Sequence, residues 1–404
     1  MAEKKKVLVC YATRQIDSNL MMSGTLFRGL QPAGYDAEAV ICGPKHVTDF
    51  FQERYGAAFR AVHILPTSSG WLEYFCARFA ILKLLYSFYI HFVKDGLWRP
   101  YARRKLRQLL AGKRFETVLS FVPPIFSGRL GRDAREILTH PAKNANTLIS
   151  MPPPPVRLIQ FWTDPLSIGA CNDITQIPKR RLLHRFWESR MLSYADKIVF
   201  CYPLLCEMEG RLHPHYAAKM SWSDVGYIEH VQDAFVPHNV RITLGLFGAY
   251  QRKVRNIAPL LSAIRHFQNL RFILRGDSDL VIQAEEYPNL DVQPGRLPVA
   301  EVEALEAQCD ILLCLGGHSG VTHPAGKLFY YASYHKPILY IGDGVHNDYF
   351  KTYLKPFGRY LICDNNEASI CRGIEAAVAA LPTYHHQIPE RMHLDVIARK
   401  VIEG

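Results

Sequence analysis

The sequence is short of the marks that would assign it to several common classes. Its ten cysteines run from Cys10 to Cys371 without one Cys-x-x-Cys pair, which argues against zinc ribbons and disulfide scaffolds and for reduced, mostly buried thiols. No G-x-G-x-x-G and no G-x-x-x-x-G-K-[ST] occurs, so the usual dinucleotide and P-loop readings lose support. The opening MAEKKKVLVCYA is basic, but its apolar run is short and passes directly into polar TRQIDSN. That lacks the hydrophobic region of a secretory signal, and a cytoplasmic location is expected. Glycine and proline, 26 and 25 residues, are too few for collagen or a low-complexity chain, and 49% hydrophobic with 21% charged residues is a globular composition. At 404 residues the chain exceeds the roughly 250–300 at which one core stops growing, so two domains are expected.

What is present is an alternation of short β-rich apolar runs with helical stretches, the pattern of parallel sheets covered by helices. Strands are read at 6–12, 36–42, 60–66, 117–122, 156–162 and 197–202, and the scheme repeats at 242–248, 271–276, 290–295, 310–315, 337–342 and 360–363. The fold class is therefore α/β, with two Rossmann-like doubly wound domains facing across a cleft. The join falls in the polar stretch 227–241, giving an N-terminal domain 1–235 and a C-terminal domain 236–382. The insert 140–155 carries four consecutive prolines, which form neither helix nor inner strand.

The net charge of +11 is unevenly placed. Between Trp71 and Arg114 stand ten Lys or Arg against two acids. The first part, WLEYFCARFAILKLLYSFYIHFV, is apolar nearly all round at helical period, but Arg78, Lys83 and His91 interrupt it, which argues against a bilayer span. Aromatics followed by ARRKLRQLLAGKR suit attachment to an anionic membrane surface through 71–114. A core helix followed by a solvated basic one is the competing reading. No recognition motif accompanies the charge, and no nucleic-acid partner is expected.

Open parallel sheets bind ligands beyond the carboxyl ends of their strands, so the loops there are where chemistry is sought. After 310–315 comes GGHSGVTHPAGKLFYY: Gly316, Gly317 and Gly320 allow unusual backbone conformations, and Lys327 falls in the first turn of the helix that follows. Free N–H groups at such a turn favour a phosphate; a glycine-rich turn with an exposed lysine is the plainer alternative. After 242–248 comes GAYQRKVRN, where Gly248 ends the strand and Arg252, Lys253 and Arg255 precede a helix opening near Asn256. Both loops can bear on one diphosphate, with guanidinium groups binding its oxygens in pairs, although a solvated loop also accounts for the charges.

These stretches, GAYQRKVRNIAPLLSAI and PAGKLFYYASYHKPIL, resemble the two diagnostic segments of the C-terminal domain of family-four, GT-B-fold glycosyltransferases. In the first half, VRLIQFWTDPLSI followed by RRLLHRFWESRMLSYADKIVFCYPLLCEM is similar to that family's strand ending in Asp-Pro and the helix carrying Glu before Ala-Asp. Order and spacing agree across most of the chain, least so from Phe50 to Gly112. The resemblance implies a nucleotide-sugar donor held mainly by the C-terminal domain, a glycan or lipid-linked acceptor held mainly by the N-terminal one, and a closing segment, 383–404, that crosses back as a helix. Arg255 and Lys327 match its basic positions, and Arg252 stands in for an arginine that the family places where this chain has Ala249. The family's two glutamates, eight positions apart, fall at Thr322 and Tyr330, so both carboxylates are missing. Tyr330 then contacts the nucleotide differently, or donor affinity is reduced.

Transfer from a nucleoside diphosphate requires stabilising the departing diphosphate, which a GT-B enzyme does with fixed cations and helix dipoles in place of a metal cofactor. Arg252, Arg255 and Lys327 are the candidates, with Gly248, Asn256, Gly317, Gly320, Thr322, His323 and Tyr330 around the donor, and His318 a further loop histidine. An inverting enzyme needs a base, for which Asp164 stands at the right edge of the first sheet, with Asp17 its rival; both also read as turn or capping carboxylates. His213 and His215 have no further ligands near them in sequence, and no metal is assigned. A peripheral glycosyltransferase at the inner face of the cell membrane is the leading expectation. A nucleotide-sugar epimerase and a catalytically silent sugar-nucleotide-binding protein are the alternatives.

Overall fold

The computed structural model describes residues 4–13, 16, 18–66, 95–122, 125–140, 155–165, 168, 178–226, 241–251, 254–318, 325–384 and 389–404. The aromatic stretch 71–94, most of the proline-rich insert and the inter-domain join lie outside these, as do Cys76 and Cys171. Two compact units form, one from described residues of 1–167, 178–225 and 394–404, the other from those of 168–177 and 226–393.

In the first unit the apolar runs become strands β1 (Lys6–Ala12), β2 (Asp36–Gly43), β3 (Ala61–Pro66), β4 (Thr117–Val122), β5 (Arg157–Trp162) and β6 (Lys197–Phe200). A short edge strand, β7 (Met220–Trp222), completes a parallel sheet of order β3-β2-β1-β4-β5-β6-β7. The sequence reading missed β7, since three residues after a 3₁₀ turn show no periodicity. The strands read as near-continuous hydrophobic runs because helices cover both faces, and β4 is buried at every position. The covering helices are α1 (Ser18–Leu30), α2 (Lys45–Tyr55), α3 (Asp95–Leu110), α4 (Ile125–Thr139), α5 (Pro178–Leu192) and α6 (Pro203–Leu212). Under α1 and α2, Phe27 meets Tyr11, Phe51 and Phe121 edge to face at centroid distances of 5.7, 5.3 and 4.9 Å.

The second unit repeats the plan with β8 (Thr243–Phe247), β9 (Arg271–Gly276), β10 (Leu290–Pro294), β11 (Ile311–Leu315), β12 (Ile338–Gly342) and β13 (Tyr360–Asp364). They form one parallel sheet of order β10-β9-β8-β11-β12-β13. Its helices are α7 (Ala258–Ile264), α8 (Val299–Gln308), α9 (Gly326–Tyr331), α10 (Asn347–Leu354) and α11 (Glu367–Ala380). The final helix, α12 (Leu394–Ile402), belongs to the first unit. It packs so closely on α1 that a Cβ on Gly29 would lie 2.1 Å from the Leu394 carbonyl oxygen. Lys197 Nζ donates to the carbonyls of Lys400 and Val401 at 3.0 and 2.8 Å, and Arg157 Nη1 to that of Ile402 at 3.1 Å. Cations from β5 and β6 thus satisfy the free carbonyls at this helix end.

Three cations of the basic segment are half-buried and engaged in ion pairs. Arg99 holds the buried Asp133 through two hydrogen bonds of 2.8 and 2.6 Å, and Arg103 pairs with Glu136 at 2.9 Å. Lys113 donates to buried Glu38 at 2.6 Å, where Arg60 and His63 also converge. Arg104, Lys105, Arg107 and Arg114 remain exposed. No helix among the described residues is long and apolar enough to cross a membrane, and the eight described cysteines are all free, six of them buried.

Glu38 makes this network measurable. Burial opposes its charge, but hydrogen bonds from Lys113, His63 and Arg60 hold its carboxyl down to about 2. A folded carboxylate below its ordinary value of 4.5 contributes stability that is present above pH 4.5 and lost as pH falls towards 2. Glu38→Gln is expected to cost about 2 kcal/mol at pH 7 and to flatten the acid limb of a urea-midpoint profile between pH 5 and about 2. An unchanged acid limb would show that the network is not the source of that dependence.

Candidate functional site

Strand order reverses between β8 and β11, because β9 and β10 lie to one side and β12 and β13 to the other. The chain leaving β8 and the chain leaving β11 therefore diverge from neighbouring strand ends and open a crevice at the carboxyl edge, where open parallel sheets take their ligands. Four connections meet there, following β8, β11, β12 and β13.

Backbone and side chains lock these loops together. His318 N donates to the Val254 carbonyl at 2.7 Å, joining the loop after β11 to the loop after β8. His318 Nδ1 lies 3.1 Å from Asp343 Oδ2, and Asn365 Nδ2 donates both to that oxygen and to the Asn256 carbonyl at 2.8 Å each. Asp343 Oδ1 accepts from Gly344 N at 2.7 Å. Asp343 and Asn365, which sequence reasoning did not single out, are thus the residues that fix Asn256 and His318. Gly344 has φ +77°, and a Cβ there would lie 2.5 Å from the Gly317 carbonyl oxygen. Gly344→Ala should therefore strain this junction by about 1–3 kcal/mol and displace the Gly316–His318 turn. We expect a folded protein by circular dichroism with weakened nucleoside-diphosphate binding by calorimetry; unchanged binding would separate this turn from the site.

Among the residues predicted from sequence, Gly248 ends β8 with φ +130°, followed by Tyr250 N donating to the Asp277 carbonyl at 3.0 Å. Arg255 Nη1 donates to the Ala249 carbonyl at 2.9 Å, while its Nε–H is buried with no hydrogen-bond acceptor among the described residues. A buried guanidinium donor without an acceptor costs free energy that an anionic oxygen would recover. Arg255 and Lys327 both surround the end of β11. Burial pushes the Cys314 thiol up to about 12, and these two cations are the groups that pull against it.

Lys327 carries a partner that the sequence did not suggest. Its ammonium is in hydrogen-bond contact with Glu306 of α8, a carboxyl with no exposed surface. It also stands 5.3 and 5.4 Å from the ring centroids of Tyr330 and Tyr331. Burial raises the Glu306 carboxyl above its ordinary value, with Lys327 opposing the shift. Tyr334 donates to the other oxygen of Glu306 at 3.2 Å, and Lys336 Nζ caps the end of α8 through the carbonyls of Glu306, Ala307 and Cys309 at 2.9, 2.8 and 2.6 Å. Tyr330 is buried, and its hydroxyl donates to Glu303 at 2.5 Å. The carboxylates around α9 thus come from α8, 21 to 27 residues earlier in the chain. Spacing within the motif carries no trace of them.

Arg252, Lys253, Gly320, Thr322, His323 and Asp17 lie outside the described residues. In the first unit, Asp164 follows β5 after Thr163, whose N–H extends the ladder to the Val122 carbonyl at 3.0 Å. It stands half-buried at the carboxyl edge of that sheet, where its charge adds to the burial that raises the neighbouring Cys201 thiol. His213, read from sequence as having no further ligands near it, has the carboxylates of Glu188 from α5 and Glu209 from α6 beside it in space.

No family model and no curated protein matches the chain. Solved structures match it in fold. The lipopolysaccharide outer core galactosyltransferase WaaB aligns over 98% of this chain and 99% of its own, at 10% identity and a TM-score of 0.52. A glycosyltransferase from Rickettsia africae aligns over 99% and 93%, at 10% identity and 0.51, and a UDP-N-acetylglucosamine 2-epimerase over 99% and 95%, at 12% identity and 0.51. The chain has a GT-B-like architecture. Each unit is a parallel sheet whose strand order reverses at the middle, as in a doubly wound Rossmann-like domain.

Proposed function

We propose that the protein is a glycosyltransferase that moves a sugar from a nucleoside-diphosphate donor to a glycan or lipid-linked acceptor. The observation that carries this reading is the buried Nε–H of Arg255, without a hydrogen-bond acceptor among the described residues, at the reversal point of the second sheet beside a turn built from Gly316 and Gly317. Fold-level neighbours whose names include two transferases and a UDP-sugar epimerase support a sugar-nucleotide ligand.

In this reading the acceptor oxygen bonds to the anomeric carbon as the bond from that carbon to the diphosphate oxygen breaks. Arg255 binds the departing diphosphate, and Arg252 adds a second guanidinium from the same loop. Lys327 contributes less than an unpaired lysine, because Glu306 already offsets its charge. Asn256, Gly248 and Gly317 offer backbone groups to the nucleotide, with Gly320, Thr322 and His323 on the connection that follows. Tyr330 shapes the pocket floor through its bond to Glu303 instead of serving as a ribose ligand. Asp164 is the proposed base that takes the acceptor proton.

Incubation with a panel of nucleotide sugars and candidate acceptors tests the reading. New glycoside with release of nucleoside diphosphate is the expected result. Interconversion of the free nucleotide sugar would instead identify an epimerase, and binding without turnover a silent sugar-nucleotide-binding protein.

A further inference from the structure

Helices α5 and α6 of the first unit bury three ligating side chains against one another. Glu188 projects from α5, Glu209 from α6, and His213 follows directly after α6. Neither glutamate has any exposed surface, and His213 is 5% exposed. His213 Nε2 lies 3.4 Å from Glu188 Oε2 and 3.7 Å from Glu209 Oε2, and one ligand atom from each of the three falls within 4.8 Å of the others. Both oxygens of Glu209 are buried without a hydrogen bond among the described residues.

This arrangement is poorly explained as a set of ordinary core groups. An ionised Glu209, whose two buried oxygens accept no hydrogen bond among the described residues, would place a poorly compensated negative charge in the interior, which costs several kcal/mol in real proteins. A divalent cation cancels that charge and at the same time coordinates the Glu209 oxygens that have no donor. The distances agree with such an occupant. Ligand atoms about 2.1 Å from a tetrahedral ion stand about 3.4 Å apart, close to the separations of the imidazole nitrogen from both carboxylates. The donor set, two carboxylates and one imidazole, suits zinc and its neighbours in the first transition row better than calcium or magnesium, which take oxygen ligands.

We propose that Glu188, Glu209 and His213 bind a divalent transition-metal ion that fastens α5 to α6. The site is independent of the sugar-nucleotide reading, since all three residues lie in the first unit and none belongs to the edge formed by β8 and β11. The competing occupant is a proton: burial, with the charge of the neighbouring Glu188, raises the Glu209 carboxyl well above the ordinary carboxylate range when no cation is present.

Untagged full-length protein, purified without chelator, provides the test. Elemental analysis is expected to find one transition-metal equivalent per chain. After chelation and dialysis, added zinc should raise the melting temperature, and added cobalt(II) should give visible ligand-field absorption. Glu209→Gln, checked for folding by circular dichroism, should lose more affinity than the roughly 10–100-fold lost when a group that only orients a ligand is removed, and His213→Gln should do the same. The proposal is overturned if wild-type protein contains no metal and binds neither ion, or if either variant binds cobalt as wild type does. It is equally overturned if Glu209→Gln melts at or above the wild-type temperature in zinc-containing buffer, because the carboxyl pair would then have been sharing a proton.

Discussion

Replacing Arg255 by alanine is expected to abolish the rise in melting temperature that nucleoside diphosphates produce in the wild-type protein. In a transfer assay the same variant should be slower by roughly 100–1000-fold, the usual effect of deleting one preorganised group that faces developing charge. The reason is geometric. Arg255 is anchored at one end by the Ala249 carbonyl and keeps its Nε–H buried and without an acceptor among the described residues, so it arrives at the reaction already oriented and needs no solvent reorganisation. Fold should be retained, since a single backbone carbonyl is the only hydrogen-bond partner described for its side chain. Arg255→Lys should restore charge but little rate, because an ammonium cannot reproduce the paired donors of a guanidinium. Full activity in Arg255→Ala would remove the diphosphate from this edge.

The second large effect concerns the pair formed by Lys327 and Glu306, whose two members should respond in opposite ways. Lys327→Ala leaves a fully buried carboxyl without its cation and should cost about 2–3 kcal/mol, reduced from the full value for a buried pair because Lys327 is partly exposed. The loss should grow with pH. The Glu306 carboxyl is already raised in the folded protein, so the folded state holds its proton more readily than the unfolded state. The associated stability is complete below the ordinary carboxylate range and declines as pH rises through the folded value. Removing Lys327 raises that value further, making the variant weaker at pH 8 than at pH 5. Glu306→Gln, in contrast, removes a buried charge and should change stability by no more than about 1 kcal/mol. It also releases the Lys327 ammonium, which should tighten nucleoside-diphosphate binding roughly fivefold, the equivalent of about 1 kcal/mol. Weaker binding in Glu306→Gln would show that Lys327 does not face the ligand. Urea unfolding at the two pH values and calorimetric titration read these outcomes.

The architecture was legible because doubly wound sheets write themselves into sequence as short apolar runs. KVLVCYA, TVLSFV and RFILRG became β1, β4 and β9 with the boundaries read from the sequence, since burial on both faces demands hydrophobic residues throughout and the turns that follow end them sharply. Met220–Trp222 escaped because an edge strand of three half-buried residues carries no such demand. The site was legible only in part. Glycines and cations in loops are visible in a linear text, and this picked out Gly248, Arg255, Gly317 and Lys327. Their partners were not, because a carboxyl such as Glu306 looks in sequence like any other acid of an Ala- and Glu-rich helix. Asp343 and Asn365 likewise follow two different strands and acquire meaning only when β12 and β13 lie side by side. The triad of Glu188, Glu209 and His213 illustrates the same limit. The four-residue step from Glu209 to His213 was available, but Glu188 joins them only through the packing of α5 on α6.

Hydrogen–deuterium exchange of the full chain, with and without a saturating nucleoside diphosphate, tests the central claim most directly. Protection should concentrate in residues 248–256, 314–318 and 343–347, the connections that leave β8, β11 and β12, and it should disappear in Arg255→Ala. Protection confined to other segments, or an identical pattern in the variant, would contradict the placement of the diphosphate at this edge of the second sheet.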